Sequence, residues 1–198
     1  MTMAKERERK FLIADQKALD LHLSKGCVLF QRRIDQFYLI TQEDRHLRIR
    51  REGNTLPGHT MCYKVKTTDP TVRDEFEMII SEEKFTEMSA TAVSWLSKYR
   101  TSWHQELHSY VIYFDMDKIY VGEYPIEDVL EIEFPEDMPK DVEDKIVSDL
   151  KFLGKEVTSD PSYSNIVLAA DNVRWWRDNR GVGPKEVGTQ GIHCVPTF

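Results

Sequence analysis

Glu6-Arg7-Glu8-Arg9-Lys10, running directly into Phe11-Leu12-Ile13, is the stretch on which the reading of this chain turns. Side chains alternate faces along an extended strand, so Glu6, Glu8 and Lys10 share one side while Arg7 and Arg9 point to the other. Two carboxylates and an ammonium so close together do not belong in an apolar core. They suit a wet face, or a polar cavity that holds a cation and something anionic. The pentad alone leaves both open.

Five later stretches repeat the pattern. Arg48 and Arg50 alternate with Leu47 and Ile49, Lys64 and Lys66 with Tyr63 and Val65, and Glu75 and Glu77 with Phe76 and Met78. Lys98 and Arg100 flank Tyr99, and Glu131 and Glu133 alternate with Leu130, Ile132 and Phe134. An antiparallel sheet with one solvated face gives such alternation, strand by strand. A solvated face gains most from mixed signs, however, and here each strand carries one sign or nearly so. If the strands close into a barrel with charges inward, the acidic pairs suit a hard divalent cation. The basic pairs then suit a chain of phosphates.

Composition sets the outer limits. The 198 residues, 40% hydrophobic and 31% charged, suit one soluble domain with its own core. No run approaches the roughly 18 apolar residues of a membrane span, and no signal peptide is read ahead of the pentad, so a cytoplasmic protein is expected. Cys27, Cys62 and Cys194 are odd in number and form no C-x-x-C pair, which points to free thiols. A net charge of −7 argues against nucleic-acid binding by the global field.

Periodicity places a short helix over 15–25, with Leu19, His22 and Leu23 on one face and a stop at Gly26. Strands are expected over 28–34 and 36–41 (or one bent strand), 47–51, 60–67 and 72–80. A turn rich in breakers, 52–58, separates two of them. Ser81 caps a helix whose apolar stripe is Phe85, Met88, Ala92, Trp95 and Leu96. Further strands fall at 98–103, 109–116, 118–120 and 129–134. Pro139 opens a helix with Val142, Ile146, Leu150 and Leu153 inward, closed by Gly154. A last helix starts at Asp160-Pro161 along Tyr163, Ile166, Val167 and Ala170, and a loose tail follows Gly181.

The ordered set of charged strands resembles the CYTH superfamily, the triphosphate tunnel metalloenzymes. Glu6 to Lys10 matches its E-x-E-x-K signature, and the continuation to Ile13 resembles the opening of short bacterial members. Arg48-Ile49-Arg50, Lys66, Arg73-x-Glu75-x-Glu77, Lys98-Tyr99-Arg100, an aspartate and Glu131-Ile132-Glu133 follow in the family's order. Gly154 to Asn165 resembles the same subgroup's G-x-E-V-T-x-D-P-x-Y-x-N stretch, and the match runs from about residue 6 to about residue 169.

The resemblance implies an α+β, mainly β fold: a closed eight-stranded antiparallel barrel around a polar tunnel, with helices outside. It implies a tunnel domain over 1–172 and a partly ordered extension over 173–198. Arg48, Arg50, Lys66, Arg73, Lys98 and Arg100 would bind the triphosphate. Lys64 joins them from the same face, although the subgroup often has an uncharged residue there. Glu6, Glu8, Glu131 and Glu133 would hold Mg²⁺ or Mn²⁺, with Glu75 and Glu77 nearby. Asp117 is chosen over Asp115 as the family's aspartate, and their spacing of two puts both on one face of a strand. Lys10, Glu8 and Glu133 are the expected catalytic groups.

The expected activity is metal-dependent hydrolysis of tripolyphosphate or a nucleoside triphosphate. The alternatives are a class IV-type adenylate cyclase, making cyclic AMP and pyrophosphate from ATP, and a non-catalytic binder of phosphorylated ligands. A small-molecule triphosphate is the expected partner, with neither nucleic acid nor membrane, in a monomer or homodimer. His104 and His108 lack a neighbouring H-E-x-x-H pattern and are set aside as metal ligands. Arg174-Trp175-Trp176-Arg177 is read as packing a terminal helix rather than stacking on a base. Lys5, Arg7 and Arg9 are expected on a solvated outer face.

Overall fold

The computed structural model describes residues 4–24, 29–53, 58–69, 71–122 and 124–179. In chain order its strands are β1 (Ala4–Ile13), β2 (Phe30–Thr41), β3 (Arg45–Glu52), β4 (His59–Lys66), β5 (Val72–Ile79), β6 (Ser94–Leu107), β7 (Tyr110–Val121), β8 (Tyr124–Pro125), β9 (Val129–Phe134) and β10 (Leu153–Glu156). The helices are α1 (Gln16–Leu23), α2 (Glu82–Ser89), α3 (Lys140–Asp149) and α4 (Asn165–Asp178). The neighbour order β1-β5-β4-β3-β2-β6-β7 closes through β9, which pairs with both β7 and β1. Eight antiparallel strands therefore form a closed barrel, with β8 and β10 as short additions on β7 and β1. Closure leaves no free edge in the barrel and gives each strand one inner and one outer face.

The outer face supplies the main core. Phe11, Trp103, Ile112, Phe114, Leu130, Ile132 and Phe134 pack against Leu19 of α1, Ile146 of α3, and Leu150 and Phe152. Trp103 and Phe114 stack with ring centroids 5.1 Å apart. A second cluster lies toward one end of the barrel, where Tyr38, Leu96 and Ile119 meet Leu168 and Ala169 of α4. Asn172 fixes that helix by accepting from the Gly122 N–H at 2.8 Å and donating to the Trp95 carbonyl at 3.0 Å. Gly122 has φ +62°, and a Cβ there would lie 2.1 Å from the Trp175 ring, so no larger residue fits beneath α4. Trp175 packs α4 against Gly122 and Tyr124, as expected, and Trp176 lies edge-on to Trp175.

Several element boundaries differ from the periodicity. The stripe that included Trp95 and Leu96 breaks at Ala90, which caps α2. Trp95 and Leu96 belong to β6, paired with Phe37 and Gln36 of β2. Of the two readings left open for the second strand region, the single strand holds as Phe30–Thr41, and Tyr110–Val121 is continuous as β7 where two strands were expected. A two-residue hairpin at His108 and Ser109, both at positive φ (51° and 69°), joins β6 to β7. Helix α3 stops at Asp149, and Leu153 and Gly154 lie in β10. Gly154 is there for close approach, since a Cβ would come within 3.1 Å of the Leu12 carbonyl oxygen. Asp160 caps a single 3-10 turn, Pro161–Tyr163, before α4 begins. Gly26, Cys27, much of the 52–58 turn, the tail from Gly181 and Cys194 lie outside the described residues.

The outer face of β1 is not solvated throughout. Arg9 is buried between α3 and β10, donating to Glu143 Oε1 (3.3 Å), Asp144 Oδ1 (2.9 Å) and Glu156 (2.9 and 2.5 Å). Half-buried Arg7 donates to the Met138 carbonyl at 2.9 Å. Charge on this face therefore clamps the outer helices to the strand that carries the pentad. Removing Arg9 strands the buried Glu143 with weaker partners, so Arg9→Met is expected to cost about 3 kcal/mol in urea unfolding. A change within about 0.5 kcal/mol, the usual effect of a surface substitution, would show that the clamp is incidental.

Candidate active site

Inside the barrel the charged pairs converge. A cavity of about 720 Å³ is lined by Glu6, Glu8 and Lys10 of β1, Arg48 and Arg50 of β3, Lys64 of β4, and Glu75 and Glu77 of β5. Lys98 and Arg100 of β6, Asp115 of β7, and Glu131 and Glu133 of β9 complete the charged wall. A second cavity of about 510 Å³ shares Glu8, Lys10, Arg48 and Lys64 with the first. It opens at the other end past Arg45, Lys66 and Arg73 and the segment 158–167. The two shared walls make one passage with two mouths.

The cations in this passage are held by carboxylates on neighbouring strands, because a buried charge without a partner is costly. Arg100 reaches Asp115, Asp117 (2.6 Å) and Glu131 (2.5 Å). Lys98 donates to Asp117 at 2.5 Å, and burial, with Arg100 beside it, pulls its pKa down to about 8. Lys10 bonds Glu131 and lies 3.5 Å from Glu8. Lys64 bonds Glu6 and lies 3.4 Å from Glu75. Arg73 donates to Glu8 at 2.5 Å, and Arg50 to Glu77 at 3.1 Å. Arg48 donates to the Gln36 amide oxygen at 3.2 Å, and the Gln36 amide nitrogen donates to Tyr38 Oη at 2.6 Å.

Cross-strand register brings opposite signs together at three inward positions, where Lys64 faces Glu75, Lys10 faces Glu131 and Arg100 faces Asp117. It brings like signs together at two others, where Lys66 faces Arg73 and Glu8 lies directly opposite Glu133. Oxygens of Glu6, Glu8 and Glu133 all lie within 4.8 Å of one another. Burial pushes the Glu133 carboxyl up to about 7, and Glu6, Asp115 and Glu8 add to the effect. Burial also raises Glu6, with Glu8 adding to it. Burial works the same way on Glu8, but Lys10, Lys64 and Arg73 outweigh it and hold that carboxyl down at about 2. Three converging carboxylates in a half-polar cavity form a donor set that fits a hard divalent cation.

Every candidate taken from the sequence lies on the inner face or at a mouth, in different settings. Glu6, Glu8 and Glu133 come together, whereas Glu131 is occupied by Lys10 and Arg100. Glu75 and Glu77 form a separate group with Cys62, whose thiol burial raises to about 11. Asp117 is fully buried beneath Lys98 and Arg100 and does not line the cavity; Asp115 does. Lys66 and Arg73 stand at the second mouth. His104 lines the first mouth, and His108 sits in the hairpin turn. The sequence reading passed over Arg32, which donates to Ser102 Oγ at 2.9 Å and pairs with Glu52 at 2.9 Å. Its run Arg32-Arg33 hides the alternation that would have marked it. Gln36 and Tyr38 were also missed, being uncharged members of the same inward row.

The CYTH domain family model matches residues 4–163. The chain belongs to the CYTH family. Family members are metal-dependent enzymes that act on triphosphates. The CYTH barrel is similar to the PH1819 protein of Pyrococcus horikoshii OT3, with a TM-score of 0.58 at 20% identity over 82% of this chain and 98% of that one. The PH1012 protein of the same organism and a conserved hypothetical protein of Pyrococcus furiosus each give a TM-score of 0.54 at 19% identity, over 75% of this chain and 94% of theirs. At these identities the likeness shows the fold. No curated protein sequence matches the chain. Among the described residues no helix is long and apolar enough to cross a membrane.

The Glu8–Glu133 opposition has a measurable consequence. In metal-free buffer at pH 8, Glu133→Gln removes a like-charge contact and is expected to stabilise the protein by about 1 kcal/mol. The same variant is expected to lose the rise in Tm that Mn²⁺ gives the parent. A fall in metal-free Tm together with a retained Mn²⁺ effect would contradict this view of the carboxylate group.

Proposed function

We propose that this CYTH protein is a divalent-metal-dependent triphosphatase that hydrolyses the terminal phosphate of a triphosphate bound in the barrel. The observation that carries the reading is the Glu6–Glu8–Glu133 group standing in the same cavity as Lys10, Arg48, Lys64 and Arg100. Glu6, Glu8 and Glu133 are the residues that would hold Mg²⁺ or Mn²⁺. A divalent cation bound there stabilises charge on phosphate oxygens and acidifies water. The site that binds three phosphates must neutralise several negative charges at once, and only a confined row of cations does so.

The chain's own residues supply the rest. Arg48 and Arg100 offer planar donors to the phosphate oxygens, and their internal partners set their orientation before a ligand arrives. Lys10 sits between Glu8 and Glu131, with its charge held by both, and can meet an oxygen of the phosphate under attack. Lys64, Lys66 and Arg73 extend the positive wall toward the second mouth. Water attacks the terminal phosphorus, its proton passes to a carboxylate of the group, and the diphosphate leaves with its charge balanced by the basic wall. The stretch Gly154 to Asn165, which resembles the short bacterial subgroup, supports hydrolysis over cyclisation.

Incubation with tripolyphosphate, and separately with ATP, in Mg²⁺ or Mn²⁺ tests the reading. Orthophosphate release is expected, and Glu8→Gln is expected to lower kcat by at least about 100-fold while the far-UV spectrum is unchanged. Cyclic AMP with pyrophosphate from ATP would replace hydrolysis with cyclisation. Wild-type activity in the Glu8→Gln variant would remove the metal assignment.

A further inference from the structure

Ion pairing inside the barrel has one exception. Five cations are buried along the passage: Lys10, Arg48, Lys64, Lys98 and Arg100. Four of them bond a carboxylate directly, Lys10 to Glu131, Lys64 to Glu6, and Lys98 and Arg100 to Asp117. Arg48, only 8% exposed, donates instead to the amide oxygen of Gln36, a neutral acceptor. Among the described residues, the one carboxylate oxygen within 4.0 Å of its guanidinium is Glu75 Oε1, at 3.9 Å. That carboxylate is already engaged by the Cys62 thiol at 2.8 Å and by Lys64 at 3.4 Å. Arg48 Nε has no hydrogen-bond partner among the described residues.

Register keeps this position neutral on both sides. Arg48 lies opposite Tyr38 on β2 and Cys62 on β4, and burial holds the proton on each. Gln36 is 1% exposed, and its amide nitrogen donates to Tyr38 Oη at 2.6 Å. One amide thus joins a guanidinium to a phenol, and the Arg48 donor fixes which end of that amide is oxygen. A glutamate has the same shape as glutamine and would give Arg48 the ion pair that the other four cations have. The chain places an amide there instead. Arg48 also lines both cavities, so its unneutralised charge stands where the two halves of the passage meet.

We propose that Gln36 is a positioning residue that sets affinity: its neutral amide aims the Arg48 guanidinium into the passage without cancelling its charge, so that an oxygen of the bound phosphate chain becomes the missing counter-ion. The inference rests on the triphosphate reading above and adds to it a residue that touches no ligand. Lys10, Lys64 and Arg100 share their charge between a carboxylate and the ligand. Arg48 brings its whole charge, and a buried cation without a partner gains most when an anion arrives.

Calorimetry in Mg²⁺ with the diimido analogue of tripolyphosphate, whose P–N–P bridges resist hydrolysis, tests the inference together with the ligand-free Tm. Gln36→Glu gives Arg48 a carboxylate. It is expected to weaken the analogue by at least about 10-fold while the ligand-free Tm stays at or above that of the parent. Gln36→Leu keeps the charge but removes the acceptor, and is expected to weaken the analogue by roughly 3- to 10-fold. In an Arg48→Met background the same Gln36→Leu change is expected to alter affinity by less than about twofold, because Gln36 acts through Arg48. Unchanged affinity in Gln36→Glu, weaker binding with a lower ligand-free Tm, or additive losses in the double variant would each overturn the role of Gln36 and leave the triphosphate reading intact. A parent protein that does not bind the analogue would overturn the triphosphate reading, and this inference with it.

Discussion

Charge confined inside a closed barrel is the constraint on which the rest of this structure depends. Each inward cation must find an anion, because an unpaired buried charge costs several kcal/mol. Register meets part of that demand, setting Lys64 beside Glu75 and Arg100 beside Asp117, and longer reaches such as Lys64 to Glu6 meet another part. The result is a cavity that is held open by its own ion pairs rather than filled by apolar side chains. The larger apolar cluster lies on the outer face, where helices cover it.

The same constraint isolates the reactive locus. Pairing satisfies Lys98, Arg100, Asp117 and Glu131 among themselves, deep in the barrel. It leaves Glu133 opposite Glu8 with burial pressing its carboxyl toward neutrality. A site so arranged is stabilised by whatever brings positive charge to it. Binding and folding are therefore linked at the point where the proposed chemistry takes place. Helix α4 covers Leu96 and Ile119 beside the second mouth, while Phe30, His104 and Tyr113 line the first.

Much of this was legible in the sequence, for one reason: alternation along a strand survives any tertiary context. That Glu6, Glu8 and Lys10 share a face followed from a period of two, and the resemblance carried by the order of the charged strands turned that face inward. What the sequence left hidden lies where local pattern is ambiguous. Trp95 and Leu96 continue a helical stripe by spacing, yet pairing with β2 decides their state. Arg9 alternates as a solvated residue would, and only the position of α3 and β10 makes it buried. Asp115 and Asp117 share a face, and Asp117 lies deeper because Lys98 and Arg100 engage it, which no single-strand pattern encodes. Arg32 was masked by its neighbour Arg33, and the aromatic rim by its dispersal over three strands.

The central claim is that Glu6, Glu8 and Glu133 together hold the divalent cation. Anomalous diffraction from crystals of the protein grown with Mn²⁺ tests it most directly. The account predicts a manganese peak within coordination distance of oxygens from all three carboxylates. A well-occupied peak elsewhere in the barrel, with none between these three, would contradict it.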